Sequence, residues 1–224
     1  MMICPETFYE ENLKGKSERE ILAVIRSLKH RIGSLKNTLE HPDYVQTISP
    51  GEDVQITFNY MYLDRAKQAL SDIGGTYTPS QAELRAEKFN ANLPHVCRVE
   101  FGINAYFEGY EEKTYIIEDD RVAVTVERVS YNTPSDSIEY EDEEMDKDTL
   151  IEGLADLHIG EWRREYDTRN IDIRICDGTQ WDLKFYFSNG SRPIKIYGSN
   201  MYPYNFSRLL ELFDIQLFSI EDLK

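Results

Sequence analysis

Residues able to do chemistry are present in this chain, but they are not grouped. The four histidines, His30, His41, His95 and His158, make no HExxH or HxH pattern and no pair at helical spacing. His95 and Cys97 are two potential metal ligands without a second pair. A calcium loop needs acids around a turn-making glycine, and the acidic run Asp136–Asp148 contains none. The chain has no phosphate-binding P-loop, no dinucleotide fingerprint and no GxSxG elbow. Cys176 lies beside Asp177-Gly178, and an acidic neighbour disfavours the reactive thiolate. With 41 acids a carboxylate pair is always available, so abundance alone carries no signal. No catalytic residue, metal site or cofactor is therefore expected, and the pattern points away from an enzyme.

Two groups of side chains remain as candidate contact sites. The first is the loop Tyr197–Asn205 with Asp177 and Trp181. There Asn200, Tyr202 and Tyr204 can line a small pocket, because strand ends and the loop before a helix present polar groups to a ligand. The competing reading makes Gly198 and Asn200 a simple turn and the tyrosines a cap on the core. The second group is Trp162, Arg163, Arg164 and Tyr166. Arginine beside aromatic residues is typical of interface hot spots, and equally of a structural cation–π contact.

Local patterns show which elements would position these groups. Ser17-Glu18-Arg19-Glu20 is a capping box. Ser49-Pro50-Gly51-Glu52 puts Pro at a first helical position, and Thr78-Pro79-Ser80-Gln81 is a third helix start. Helices are expected over 18–40, 50–73 and 79–91, with Gly74-Gly75 stopping the second and Pro94 ending the third. Ile21, Ile25, Leu28, Ile32, Leu35 and Leu39 form a heptad seam. Tyr62, Ala66, Ala69 and Ile73 offer a facing stripe. The seam closes either within one chain, as an antiparallel hairpin, or against another subunit. Val54, Ile56 and Phe58 also alternate as a strand would.

After Pro94 the period changes from 3.6 to 2. Cys97, Val99, Phe101, Ile103, Ala105 and Phe107 alternate, as do Val122, Val124 and Val126, with a further strand over 113–117 and a hairpin tip at Glu118-Asp119-Asp120. Residues 132–146 break the pattern. Eight acids fall between Asp136 and Asp148, which reads as a solvated loop or a docking patch for a basic surface. Asp146 caps a helix over 147–158 bearing Leu150, Ile151, Leu154 and Leu157. Ile171, Ile173 and Ile175 alternate before a turn at Asp177-Gly178. Trp181, Leu183, Phe185 and Phe187 alternate next, then a turn at Asn189-Gly190, then Ile194 and Ile196. Pro203 opens a last helix with Phe206, Leu209, Leu210 and Phe213 on one face.

Composition narrows the classes. The chain has 224 residues, 25 Lys+Arg and 41 Asp+Glu, a formal charge of −16. Residues 1–93 are near balance at −2, and residues 94–224 carry −14. Residues 14–41 run the other way at +4 and would attract acidic segments, less so in salt. Direct nucleic-acid binding is not expected, because it needs basic patches. Mimicry of nucleic acid by the acidic surface is a reading that rests on charge alone. No apolar stretch is long enough to span a bilayer and no signal peptide is visible, so no membrane association is expected. Three scattered cysteines, Cys4, Cys97 and Cys176, fit a reducing cytoplasm.

Four blocks carry a resemblance. They are Thr76-Tyr77-Thr78-Pro79-Ser80-Gln81-Ala82-Glu83-Leu84, the run from Leu157 to Tyr166, Asp177-Gly178-Thr179-Gln180-Trp181, and the run from Lys195 to Phe206. Together they resemble a family of uncharacterised Firmicutes proteins over most of the chain. The resemblance implies a bacterial, cytoplasmic protein and assigns no activity and no functional residue. The expectation is an α+β fold: an N-terminal helical hairpin or three-helix element over 1–93, then an antiparallel sheet over 94–224 with helices packed on one side. The expected function is a non-catalytic interaction or binding module, with an unknown protein or a second copy as partner (a possible homodimer). The alternative is a small-ligand binder or enzyme with its site at the 197–205 loop.

Overall fold

The structure, a computed structural model, describes residues 3–46, 49–106, 108–119, 121–131, 139–168 and 178–215. It divides into two compact units, Met1–Ser80 and Gln81–Lys224. The helix expected over 79–91 is therefore grouped with the sheet and not with the helices before it.

The first unit holds α1 (Pro5–Asn12), α2 (Glu18–Leu39) and α3 (Glu52–Asp72). A capping box forms at the start of α2: the Glu20 carboxylate accepts the Ser17 N–H at 2.9 Å, and it also accepts the Ser17 Oγ–H at 2.6 Å. Those two bonds, the hydroxyl first, hold Glu20 below the usual carboxylate range. Ile21, Ile25, Leu28 and Ile32 are buried with Tyr62, Leu63, Ala66, Ala69 and Leu70. Glu18, at the start of α2, accepts the Thr76 N–H beyond the end of α3, while Lys36, near the end of α2, lies over the Tyr60 ring in the first half of α3, so the two helices run antiparallel. The seam is thus intramolecular over this stretch. Leu35 and Leu39 are only half-buried.

Two boundaries differ from expectation. Gly51 is the N-cap of α3, so Pro50 lies outside the helix. Ile73 is 52% exposed, and Leu70, at 1%, takes its place in the stripe. The helix ends in a Schellman motif: the Gly75 N–H donates to the Leu70 carbonyl, the Gly74 N–H to that of Ser71, and Gly74 has φ +73°. Ile73 is the cap residue, where the helical stripe has already ended. Val54, Ile56 and Phe58 are helical, and only Ile56 is fully buried. The helix α1 was not expected from the sequence. Its Phe8 ring stacks on Tyr62 at 4.3 Å, and the Tyr62 hydroxyl donates to the Ile3 carbonyl while accepting its N–H.

Tyr44 closes the α2–α3 connection by donating to Glu52 Oε2 at 2.6 Å. Burial, with the Glu52 bond second, pushes its phenol up to about 12. Glu52 is 7% exposed. Tyr44→Phe is expected to cost about 1–3 kcal/mol, because a buried carboxylate loses its donor. Denaturant unfolding of the variant measures this.

The second unit begins with α4 (Gln81–Asn92), followed by β1 (Val96–Ala105), β2 (Gly109–Glu118), β3 (Arg121–Ser130) and β4 (Glu139–Asp146). Then come α5 (Lys147–Asp156), β5 (Glu165–Asp167), β6 (Thr179–Phe187), β7 (Ile194–Ser199) and α6 (Phe206–Leu212). Among the described residues, seven strands lie in the order β4-β3-β2-β1-β6-β7-β5. All neighbours are antiparallel except β5 and β7, which are parallel.

The acidic run corrects an expectation. Its part Glu139–Asp146 is the edge strand β4, paired with β3 from Arg121↔Asp146 to Arg128↔Glu139. Acidic residues lack strand propensity, but β3 supplies a template, and charge on an edge discourages further pairing. Asp146 caps α5 as expected, its Oδ2 accepting the Thr149 N–H at 2.8 Å. Pro203 does not open α6, which starts at Phe206 after an N-cap at Asn205.

Register sorts the strands into two faces. One row, Val126–Lys113–Phe101–Leu183–Ile196, is buried across five strands. Phe89 of α4, Leu150 and Leu154 of α5, and Phe206, Leu209, Leu210 and Phe213 around α6 share its core. The helices therefore pack on this one side, giving the α+β arrangement. The residues between, at even positions on β1, β2 and β6, point to the other face.

Candidate functional site

The strand Ile171–Ile175 and the residues Cys176 and Asp177 lie outside the described residues, as do Phe107 and Asp120. The other sequence-derived candidates are placed. Trp181 is 3% exposed and its Nε1–H donates to the Met201 carbonyl at 2.9 Å. Trp162 is buried edge-on against it, with ring centres 6.5 Å apart. Asn200 adopts φ +54°, and its Oδ1 accepts the Thr179 N–H at 2.8 Å, so it fastens a turn to the start of β6. Tyr202 is half-buried against Phe206, at 5.0 Å, and burial pushes its phenol up. Tyr204 is half-buried as well. Arg163 is exposed above the Tyr166 ring at 5.9 Å, and Arg164 is exposed. These side chains do not converge on one cavity.

A concavity does lie nearby, on the sheet face away from the helices. It encloses about 960 Å³ and is lined by Tyr110, Glu112, Asp182, Tyr197 and Ser199, among others, with Gly102 on its floor. Of the expected loop only Tyr197, Gly198 and Ser199 reach it, with part of Trp181.

The register explains its shape. Gly102 of β1 is the partner of Glu112 on β2 and of Asp182 on β6. Strands lie roughly 4.8 Å apart, so the two acidic positions are about 10 Å apart across a residue with no side chain. Asp182 leans over the gap: a Cβ at 102 would meet its Oδ1 at 3.3 Å. Glu127 extends the row beyond Glu112, and Tyr110 donates a hydrogen bond to Glu127. Tyr197 continues the row beyond Asp182 and is 46% exposed.

Charges in the next row partly balance this one. Lys184 Nζ lies 2.6 Å from Asp182 and 3.7 Å from Glu100. Arg98 lies 3.2 Å from Glu100 and stacks on Tyr186, whose hydroxyl also donates to Glu100. Glu112 is left on the acidic side. Burial raises its pKa first, and although Lys184 opposes this, Asp182, Glu127 and Glu100 raise it further. Lys184 is raised, chiefly by its bond to Asp182. The face can therefore accept hydrogen bonds from an ammonium or guanidinium group, with exposed aromatic edges beside it.

Sequence reasoning missed Glu100, Gly102, Tyr110, Glu112, Glu127, Asp182 and Lys184. The signal available was the polar half of each alternating strand. It shows that these residues face solvent, but not which strands they share a row with.

Among the described residues, no group of three or more His, Cys, Asp or Glu side chains is arranged to hold a metal ion. Among them also, no helix is long and apolar enough to cross a membrane. No protein-family model matches the chain, and no curated protein or solved structure matches it significantly.

Proposed function

We propose that the chain is a non-catalytic interaction module that captures a basic segment of a partner on the open face of its sheet. The observation that supports this most is the placement of Glu112 and Asp182 on either side of Gly102, on a face that the helices of this unit leave uncovered. A lysine or arginine side chain entering there meets carboxylates on both sides and tyrosine edges at the rim. Charge complementarity of this kind sets orientation and encounter rate, and it weakens with salt. The partner is another protein or a second copy, and the resemblance to Firmicutes proteins supports a bacterial cytoplasm as the setting. The volume of the concavity favours a second reading, a small cationic ligand held at the same place.

Oligo-arginine and oligo-lysine peptides test the proposal by calorimetric titration at low and moderate salt. The double variant Glu112→Gln/Asp182→Asn is expected to lose at least about tenfold in affinity, while Asp148→Asn, at an exposed position of α5, loses little. Equal affinity for the double variant and the unmodified protein would refute it. Sedimentation over the same salt range measures self-association.

The pH dependence has a definite sign. Binding favours ionised Glu112, whose pKa lies above its ordinary 4.5. Affinity should therefore fall as the solution is acidified, starting at a higher pH than for an isolated carboxylate, and Glu112→Gln should remove that part of the profile. The folded protein binds a proton at Glu112 more readily than the unfolded chain does. Ionised Glu112 thus opposes folding above its folded pKa, an effect that fades as pH falls through that value toward 4.5. Glu112→Gln should accordingly raise the melting temperature at neutral pH.

A further inference from the structure

Three rows of side chains cross the open face of the sheet in succession, and the acidic row is only the middle one. Along β1 the outward positions are Glu100, Gly102 and Asn104. Register aligns Glu100 with Lys184, and Lys184 with Lys195. It aligns Gly102 with Glu112 and Asp182. It aligns Asn104 with Tyr110 and Gln180, and Gln180 with Ser199. Along the strands the face therefore passes from a lysine-rich row to an acidic row to a neutral row of amides and hydroxyls.

The neutral row has hydrogen-bonding capacity to spare. Asn104 and Gln180 are exposed, line the concavity and are cross-strand partners. Neither carboxamide makes a hydrogen bond among the described residues. Each both donates and accepts, so another carboxamide matches it in both senses. The first row carries spare positive charge. Lys184 is held by Asp182 and Glu100, but Lys195 is exposed and has no ion pair among the described residues.

Rows on a sheet repeat every second residue, roughly 6.7 Å along the strand. An extended segment laid on the face has the same repeat between side chains on its lower side, and packed strands stay within about 30° of alignment. A basic side chain over Gly102 therefore places the side chains two residues away over the amide row on one side and over the lysine row on the other.

We propose that the partner is an extended segment of another protein that bears one isolated basic residue with an amide side chain two residues from it. This rests on the reading above, that the face captures a cationic group. The acidic row takes the base, Asn104 and Gln180 take the amide, and Lys184 and Lys195 exclude a second base on the far side.

Blocked peptides on an alanine background test this by chemical-shift titration of the full chain at low salt. Each carries one arginine, with asparagine or leucine two residues after it or, in a second set, two residues before it. In the better order the asparagine peptide is expected to bind about fivefold tighter than the leucine peptide. Asn104→Ala/Gln180→Ala should bring the asparagine peptide down to the leucine peptide's affinity and leave the leucine peptide unchanged. Both positions are exposed, and an unchanged melting temperature shows that the fold is kept. A second arginine, two residues from the first on the side away from the asparagine, should not tighten binding although the chain carries −16. In Lys195→Gln it should. Equal affinity of the asparagine and leucine peptides in both orders would overturn the inference, as would an equal loss of both in the alanine variant. So would agmatine, a guanidinium without a peptide backbone, binding as tightly as the asparagine peptide. Capture of a basic group would survive any of these results if Glu112→Gln/Asp182→Asn still weakened the arginine peptides. Absence of binding by every arginine peptide and by agmatine would remove both readings.

Discussion

Trp181→Ala is expected to destabilise the second unit by about 3–5 kcal/mol, the usual loss when a large buried aromatic is truncated. The indole is 3% exposed and packs on Phe206, Tyr166 and Trp162 at ring separations of 4.8, 5.8 and 6.5 Å. Gly198 lies so close beneath it that a Cβ there would fall within 2.4 Å of Trp181 Cε2. Truncation would empty that space and leave the Met201 carbonyl without its donor. In a chain of this size the melting temperature should drop on the order of 10 °C. Near-ultraviolet circular dichroism and thermal unfolding measure it. A variant as stable as the parent that had lost only ligand affinity would return Trp181 to the role of a surface contact.

Glu111→Ala should cost about 3–5 kcal/mol for a different reason, the removal of one partner from a buried ion pair. Glu111 and Arg128 are cross-strand partners on the helix-covered face, 3.2 Å apart, with side-chain exposures of 0% and 11%. Removing the carboxylate leaves the guanidinium in a medium that solvates it poorly. The double variant Glu111→Leu/Arg128→Met should recover most of the loss, because replacing both charges removes the desolvation penalty along with the attraction. Urea unfolding of the two single variants and the double variant decides it. A cost below about 1 kcal/mol for Glu111→Ala would show that water screens the pair as it does a surface bridge.

Strand alternation alone would not have placed these two charges. On β2 the inward positions include Glu111, Lys113, Tyr115 and Ile117, and the first two are charged. The strand was recognisable over 113–117, while its first residues, Gly109 to Glu112, carry no apolar period. The edge strand β4 was hidden for the same reason, since six acids in eight residues look like a loop until β3 is present to pair with them. Helix α1 is eight residues long, and its Phe8 stacks on Tyr62, which is distant in sequence.

What the sequence determined by itself is local. The Ser17–Glu20 box, the Gly74-Gly75 stop, the Asp146 cap and the face Phe206, Leu209, Leu210, Phe213 were all readable, because each depends on residues within a few positions of one another. So was the change of period after Pro94, and with it the α+β class. The tertiary structure decided what lies beside what. β1 runs between β2 and β6, and that adjacency sets Glu112 and Asp182 across Gly102 although they are far apart along the chain. The same long-range packing buried Trp181 and Trp162 in the core. Hydrophobic periodicity specifies which face of an element is buried. Strand order and register arise from the mutual fit of distant faces, and no local window of sequence contains that information.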